Sequence, residues 1–268
     1  MTPPKIHPTA VIDPSAEIDP SAQIGPYAVI DGKVRIGPRV RVWPHVYLTG
    51  WTTIESDCRI HPGAVVGHLP QDASYEGGES HCHIGQGTVM REGATVHRGT
   101  RPGSSTVVGK RCFLMTNSHV GHNCRVGDDT TIVNNVLLAG HVEIGSGAYL
   151  GGQVAVHQFT RIGDLAMVGG CTKVTQDIPP FLMMDVRAGC VGINSVGLRR
   201  AGFSPAEIED AKLAYRLLCR SGYGIREATQ KIAEQARTSA GQRIVAFLRG
   251  ESRRGIQLRD KRRPEEAS

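Results

Sequence analysis

From Ile6 onward an aliphatic residue returns at every sixth position, and no helix or ordinary strand has that period. The first run is Ile6, Ile12, Ile18, Ile24, Ile30, Ile36, Val42, Leu48, Ile54, Ile60 and Val66. Ile84, Met90 and Val96 follow in the same phase, and then Val108, Leu114, Val120, Val126, Ile132, Leu138, Ile144, Leu150, Val156, Ile162, Val168 and Val174. The lattice is broken only at Asp72, Gly78 and Pro102. A second regularity rides on it. The residue four places after each aliphatic is small or β-branched, as in Ala10, Ala28, Val40, Cys58, Ala94, Cys112, Thr130 and Val154. One large and one small inward position per hexad fits a narrow triangular coil closed by three hexads, which is a β-helix of hexapeptide turns. Coils of 18 residues would stack at the inter-strand spacing of about 4.8 Å. Gly and Pro after the aliphatic (Ile24-Gly-Pro, Ile36-Gly-Pro, Ile144-Gly) supply the corners.

The frame decides how several conspicuous residues are read. Cys58, Cys112 and Cys124 occupy the small inward place and are expected to pack as core. His81-Cys82-His83 has a metal-like look but no second Cys pair, so no metal is expected there. The gap from 67 to 83 keeps phase, which makes it a loop emitted from one coil. Its polar Gln71-Asp72-Ala-Ser74 stretch is a candidate substrate contact. A second polar, Gly-rich loop spans 98–106. The seven cysteines are odd in number, and neither an apolar leader nor a long apolar span is present. These point to a cytoplasmic protein with reduced thiols and no membrane insertion. The net charge of +6 suggests an acidic partner, but the basic residues are scattered rather than gathered for nucleic acid.

The lattice stops after Val174, and Gln176-Asp-Ile-Pro-Pro180 reads as an exit turn. Ser204-Pro205-Ala-Glu207 is a capping box with Pro at the first helical place, opening a helix to about Ser221. Further helices are expected over 225–238 and 242–249. The domain reading is a β-helix over 1–186 with loops at 67–83 and 98–106, a helical domain over 187–252, and a charged tail over 253–268 expected to fray. The helices would cover the open end of the solenoid, where strand edges lack partners.

Residues 18 apart lie over one another, so the hexads of Val120, Leu138 and Val156 share a face. His122, Gly140-His141 and His157-Gln158 follow them in three successive coils, and His119 leads into the same face. Counting in eighteens puts His97 on the neighbouring face, in the series of Leu114, Ile132 and Leu150. Histidines and an amide on adjacent rungs, beside glycines that admit a ligand to the backbone, suit acid–base chemistry. Zinc hydration of the γ-class carbonic anhydrase kind would need two histidines five apart; His119 and His122 are three apart.

At this point the motifs resemble those of the UDP-N-acetylglucosamine acyltransferases of lipid A biosynthesis, members of the hexapeptide-repeat transferases. The resemblance covers 6–258. It rests on Gln71-Asp72, His97-Arg-Gly-Thr100, Asn117-Ser-His119-Val-Gly-His122, Leu138-Ala-Gly140-His141, Val156-His157-Gln158-Phe159, Val168-Gly-Gly170, Gln176-Asp-Ile-Pro-Pro180, Gly192-Ile-Asn194 and Gly197-Leu-Arg-Arg200. It implies a left-handed β-helix, against the usual right-handed crossover, and a homotrimer with sites between solenoids. The implied donor is a 3-hydroxyacyl chain on acidic acyl carrier protein, and the acceptor is a UDP-sugar. No cofactor or metal is implied. His122 matches the general base and Gly140 the oxyanion donor. His119, His141, His157 and Gln158 would hold sugar, phosphate or pantetheine. Asp72, Ser74 and His97 match substrate-binding places, Asn194 and Arg200 would reach the nucleotide, and Gly170 matches the place that sets acyl-chain length. The sister N-acyltransferase usually carries a uridine-binding N-terminal domain, for which hexads starting at Ile6 leave no room.

Three positions depart from the family pattern: Asn123 stands where an Asp often follows the catalytic His, Ser74 replaces a loop lysine, and Val196 replaces a glutamate. They leave open an acceptor with a 3-amine, giving an amide product. From another class, a non-catalytic trimeric scaffold is opposed by the stacked histidine face.

Overall fold

The computed structural model describes residues 5–186 and 189–258. Short parallel strands, mostly of two residues, wind into three sheets of eleven, nine and eight strands. The coil is a left-handed parallel β-helix. The first face runs through Ile6, Ile24, Val42, Ile60, Met90, Leu114 and onward; the second through Ile12, Ile30, Leu48, Val66, Val96, Val120, Leu138, Val156 and Val174; the third through Ile18, Ile36, Ile54, Ile84, Val108 and Val126 to Ile162.

The aliphatic and the small residue of each hexad both point inward. Ile132, Val136, Leu138 and Val142 are fully buried, as are Cys58 and Cys124. Each buried aliphatic contributes about 1.5–3 kcal/mol. Thr130 and Thr172 enter this core because each hydroxyl donates to the carbonyl three residues back (2.8 and 2.7 Å). The core thiols donate in the same way, Cys58 Sγ to Gly85 O at 3.2 Å and Cys124 Sγ to Ala139 O at 3.1 Å. Burial pushes these two thiols up to about 11 and about 12, so they stay protonated. Towards the N-terminal end the core opens: Ile6 is 38% exposed, and Ala10, Ile12, Ala16 and Ile18 are only partly buried.

A corner rule emerges that the amino-acid spacing did not show. The third residue after the aliphatic takes a left-handed backbone at coil after coil, including Asn117 (φ 56°), Asn123 (60°), Asp129 (58°), His141 (60°) and Phe159 (62°). Asn and Asp adopt it readily, but other L-residues pay roughly 1–2 kcal/mol.

The loops correct the simple overlay. Val66 pairs with Val96, 30 residues on, and Val96 pairs with Val120, 24 residues on. The two loops therefore carry twelve and six residues beyond a coil, whole hexads that keep phase while advancing the face. His97 consequently lies on the second face, directly before His119, and not on the neighbouring face.

After the last coil a strand over Leu182–Asp185 joins the first face in parallel and Gly189–Ile193 returns antiparallel to it. Four helices follow: α1 (Ser195–Arg200), α2 (Pro205–Cys219), α3 (Ile225–Gln235) and α4 (Ser239–Arg249). The expected capping box is present at Ser204 and Glu207. Asp210 holds the α3–α4 junction, its Oδ2 accepting from Arg237 N, Thr238 N and Thr238 Oγ1, each at 2.7 Å. Of the tail expected to fray, residues 253–258 lie against the solenoid, and 259–268 fall outside the described residues. Asp177, fully buried, organises that return. Its N–H donates to Gly255 O (2.7 Å), its carbonyl accepts from Gln257 N (2.8 Å), and its carboxylate meets Arg161 Nε at 2.8 Å.

Candidate active site

The corner after the second face gathers the chemistry. His122 is 11% exposed and sits between two grooves. One, of 670 Å³, is lined by Gln71, His97, His119, His122, Leu137, Gly140 and Gln158. The other, of 1120 Å³, is lined by Asp72, Ser74, Thr100, Arg101, Asn123, His141, Phe159 and Arg253.

The proton on His122 can be placed from its neighbours. Asn123 Oδ1 accepts from Thr100 N (3.2 Å) and Thr100 Oγ1 (2.9 Å). A backbone N–H can only donate, so the Asn123 atom facing it is the amide oxygen. That oxygen also lies 2.9 Å from His122 Nδ1, which must then carry the hydrogen. The lone pair is on Nε2. Asn123 N in turn donates to Thr106 Oγ1 at 2.7 Å, so the residue that orients the base is tied to the loop through Thr100 and to the strand after it through Thr106.

Nε2 faces Asp72 Oδ2 at 3.9 Å. The Asp72 carboxylate is held below its ordinary range chiefly by the Ser74 backbone N–H and hydroxyl, at 2.9 and 2.7 Å. It therefore stays charged, and supplies beside the imidazole the negative charge that neutral Asn123 cannot. Ser74 stands in for a lysine of the family pattern, and its hydroxyl is directed at Asp72. The loop itself is tied down by buried Arg98, which donates to Gly67 O (3.4 Å) and Tyr75 Oη (3.1 Å).

Gly140 lies one coil from His122, and a Cβ there would run into the imidazole ring. Ala139 N donates to Val156 O (3.1 Å) and His141 N to His122 O (2.9 Å). Among the described residues the Gly140 N–H between them has no backbone acceptor. The same N–H is unused in other corners, such as Asn134 and Gly152. What distinguishes Gly140 is the base beside it and the missing side chain.

The second face leads into this corner through a row of rings. His68, His97 and His119 follow one another at 6.1 and 5.1 Å between centroids. His119 Nδ1 is 2.7 Å from Thr95 Oγ1. Burial, with His119 and His68 close by, pushes His97 down to about 4, and its buried Nδ1 has no partner. Burial and the proximity of His122 lower His141 as well. The His141 ring stands edge-on to His122 (5.3 Å, 86°) and stacks on Phe159 (4.8 Å, 23°).

Known proteins can now be set beside this geometry. A family model for the bacterial transferase hexapeptide, six repeats, matches residues 33–68 and 105–140. A second, described as Udp N-acetylglucosamine O-acyltransferase, Domain 2, matches 177–257. The acyl-[acyl-carrier-protein]–UDP-N-acetylglucosamine O-acyltransferase of Synechocystis is 48% identical over 250 residues, covering 93% of this chain and 91% of that protein. The protein of the same name from Anaeromyxobacter sp. is 47% identical over 254 residues, covering 94% and 98%. The chain belongs to this acyltransferase family. In structure, the UDP-N-acetylglucosamine acyltransferase of Francisella novicida superposes with a TM-score of 0.90 at 39% identity, covering 96% of this chain and 95% of that one.

Not every expected residue of the acyltransferase converges on His122 within one chain. Asp72, His97, His119, His141 and Gln158 do. His157 is on the same coil as Gln158 and turns its Nδ1 to the Gln158 carbonyl (3.1 Å), lining neither groove. Asn194 sits at a different corner and caps α1. Its Oδ1 accepts from Gly197 N and its Nδ2 donates to Leu165 O, both at 2.9 Å. Arg200 ends α1, exposed. Gly170 lies at the corner after the first face, where a Cβ would stand 3.1 Å from Gly152 O. Phe159, Arg101 and Arg253 enter the neighbourhood of His122 without having been singled out as site residues. Phe159 could have been found by adding one coil to His141; Arg253 could not, because its place depends on the tail's return.

Proposed function

We propose that the chain transfers a 3-hydroxyacyl group from acyl carrier protein to the 3-hydroxyl of UDP-N-acetylglucosamine, with His122 as the general base. The observation that carries this reading is the fixed tautomer. Asn123 and Thr100 hold the hydrogen on Nδ1, which leaves the Nε2 lone pair facing the site beside Gly140. Nε2 takes the proton of the acceptor hydroxyl as its oxygen attacks the thioester carbonyl. The Gly140 N–H stabilises the oxyanion that forms. Collapse expels the pantetheine sulfur, and the imidazolium returns the proton to it. Asp72 stabilises the imidazolium between the two transfers. No acyl-enzyme is needed.

The functional molecule is a homotrimer in this reading. Gly170 lies at the corner after the first face, and Asn194 and Arg200 at the start and end of α1, away from His122; in this reading they contact the same substrate from a neighbouring copy. Acyl carrier protein, an acidic partner, fits the net charge of +6. No helix among the described residues is long and apolar enough to cross a membrane. The odd number of cysteines, seven, fits a reducing compartment, and in this reading the reaction is cytoplasmic.

Replacing His122 by Ala is expected to lower kcat by about 10²–10⁴ while the melting temperature holds, as measured with purified acyl carrier thioester and nucleotide sugar. A variant that keeps the rate removes His122 from the mechanism. Offering the wild-type protein both the 3-hydroxy and the 3-amino sugar nucleotide decides the acceptor. Preference for the amine would replace the ester product by an amide.

A further inference from the structure

The column that begins at His122 does not end at the β-helix. His141 stands edge-on to His122, Phe159 stacks on His141, and the guanidinium of Arg253 lies over the Phe159 ring, 4.9 Å from its centroid. Arg253 belongs to the C-terminal segment, which the second-domain helices carry back to the solenoid. We propose that Arg253 is a positioning residue for the reaction centre, holding the His141 ring against His122 through Phe159. This rests on the reading of His122 as the base.

Two observations make the contact more than a surface accident. Phe159 occupies a left-handed corner place (φ 62°), where Asn or Asp would be less strained, so its ring is retained at a conformational cost. The segment bearing Arg253 is also fixed on both sides. Ser252 Oγ accepts from Gly255 N at 2.9 Å, Arg254 Nε donates to Thr175 O at 3.2 Å, and Asp177 bonds Gly255 and Gln257 in register. The guanidinium is therefore delivered to the Phe159 ring by backbone that is itself hydrogen-bonded to the solenoid. Among the described residues Arg253 has no carboxylate within ion-pair distance, which leaves its charge to act on the rings. The electrostatic side of the role follows from the groups that face His141. His122, Arg253 and Arg101 oppose its protonation, while Asp72 favours it. Glu143 and Glu251 line the same cleft. A protonated His141 would face the imidazole that must accept a proton, so the guanidinium helps keep the base usable at lower pH.

The test uses steady-state rates of the full-length protein with Arg253→Ala, Arg253→Lys, Phe159→Leu and the Arg253→Ala/Phe159→Leu double variant, with His122→Ala as reference. Arg253 is exposed, so the fold is expected to survive, and melting temperatures check this. Arg253→Ala should lower kcat about two- to fivefold, the range of an exposed cation–π contact, with KM for both substrates little changed. Its acid limb should move to higher pH, since removing the cation lets His141 protonate sooner. Arg253→Lys should restore most of both. The double variant should be no slower than Phe159→Leu alone. An unchanged kcat and pH profile in Arg253→Ala, or fully additive losses, would overturn the proposal. So would a rise in KM for acyl carrier protein alone, which would make Arg253 a docking contact. If the Arg253 variants match wild type while His122→Ala is inactive, only this inference falls. If His122→Ala is active, the inference falls together with the reading of the base.

Discussion

Two corners of the same coil carry the same backbone and do opposite things. After the third face, the left-handed corner places are filled by Arg39 over Asp57 and by Arg111 over Asp129, two bidentate pairs with N–O distances of 2.6–2.7 Å. After the second face, the equivalent left-handed places hold Asn123, His141 and Phe159, with His122, Gly140 and Gln158 just before them; the next residue of the series, Asp177, is buried and does not take that backbone. The first column is a solvated ladder of charges. The second carries rings, amides and one glycine, has two loops drawn over it, and leads to the ion pair of buried Asp177 with Arg161. Coil geometry is thus indifferent to chemistry. What makes a site is which side chains take the two outward corner places, and whether anything excludes water from them.

That contrast can be broken most sharply at Gly140. Alanine is allowed there by the backbone, since no left-handed φ is required, but its Cβ would displace the His122 ring. A loss in kcat of about 10²-fold is expected, the scale of a lost oxyanion donor or displaced base. Circular dichroism and the elution volume on size exclusion should be unaltered. Asp177→Ala attacks the foot of the same column. It strips the buried ion pair from Arg161 and the anchor of the returning tail, and should cost about 3 kcal/mol in urea unfolding. A smaller, pH-dependent effect belongs to His97 on the face leading into the corner. Its folded pKa of about 4 lies below the unfolded value of 6.5, so the unfolded chain binds more protons between them. Stability should therefore fall as pH drops from about 6.5 towards 4, and His97→Gln should flatten that part of the profile. The smallest effect is expected from the charge ladder. Arg111→Ala should leave the rate and the melting temperature at wild-type values in moderate salt, because exposed pairs are screened. A large loss of activity there would show that the two corners are not independent.

Asparagine at 123 illustrates how a site can be partly legible. In the sequence it is a departure beside the expected base, a neutral amide able to orient the imidazole but less able to stabilise imidazolium. In the structure it fixes the tautomer and ties the second loop to the site, while Asp72, reaching over from the first loop, provides charge on the other side. Asn194 shows the other use of an amide. A motif residue expected at the nucleotide spends both ends of its amide within its own chain. Side-chain amides are good at either task, and only their neighbours decide.

The hexad lattice determined the coil, its inward residues and the inert setting of Cys58, Cys112 and Cys124, because a period of six is a local property that each turn enforces on its own. The capping box at Ser204 was local in the same sense. Which face His97 occupies was not local. Two loops hide six and twelve residues between coils, and the stacking register across them is set by strands that pair over 24 and 30 positions. The return of residues 253–258 to the solenoid depended on a buried aspartate and the packing of three helices, and with it the placing of Arg253 over Phe159. Repetition lets a sequence specify its own cross-section. Contacts between parts that do not repeat require the assembled chain, since no period records how far a loop or a helix carries the backbone before it comes back.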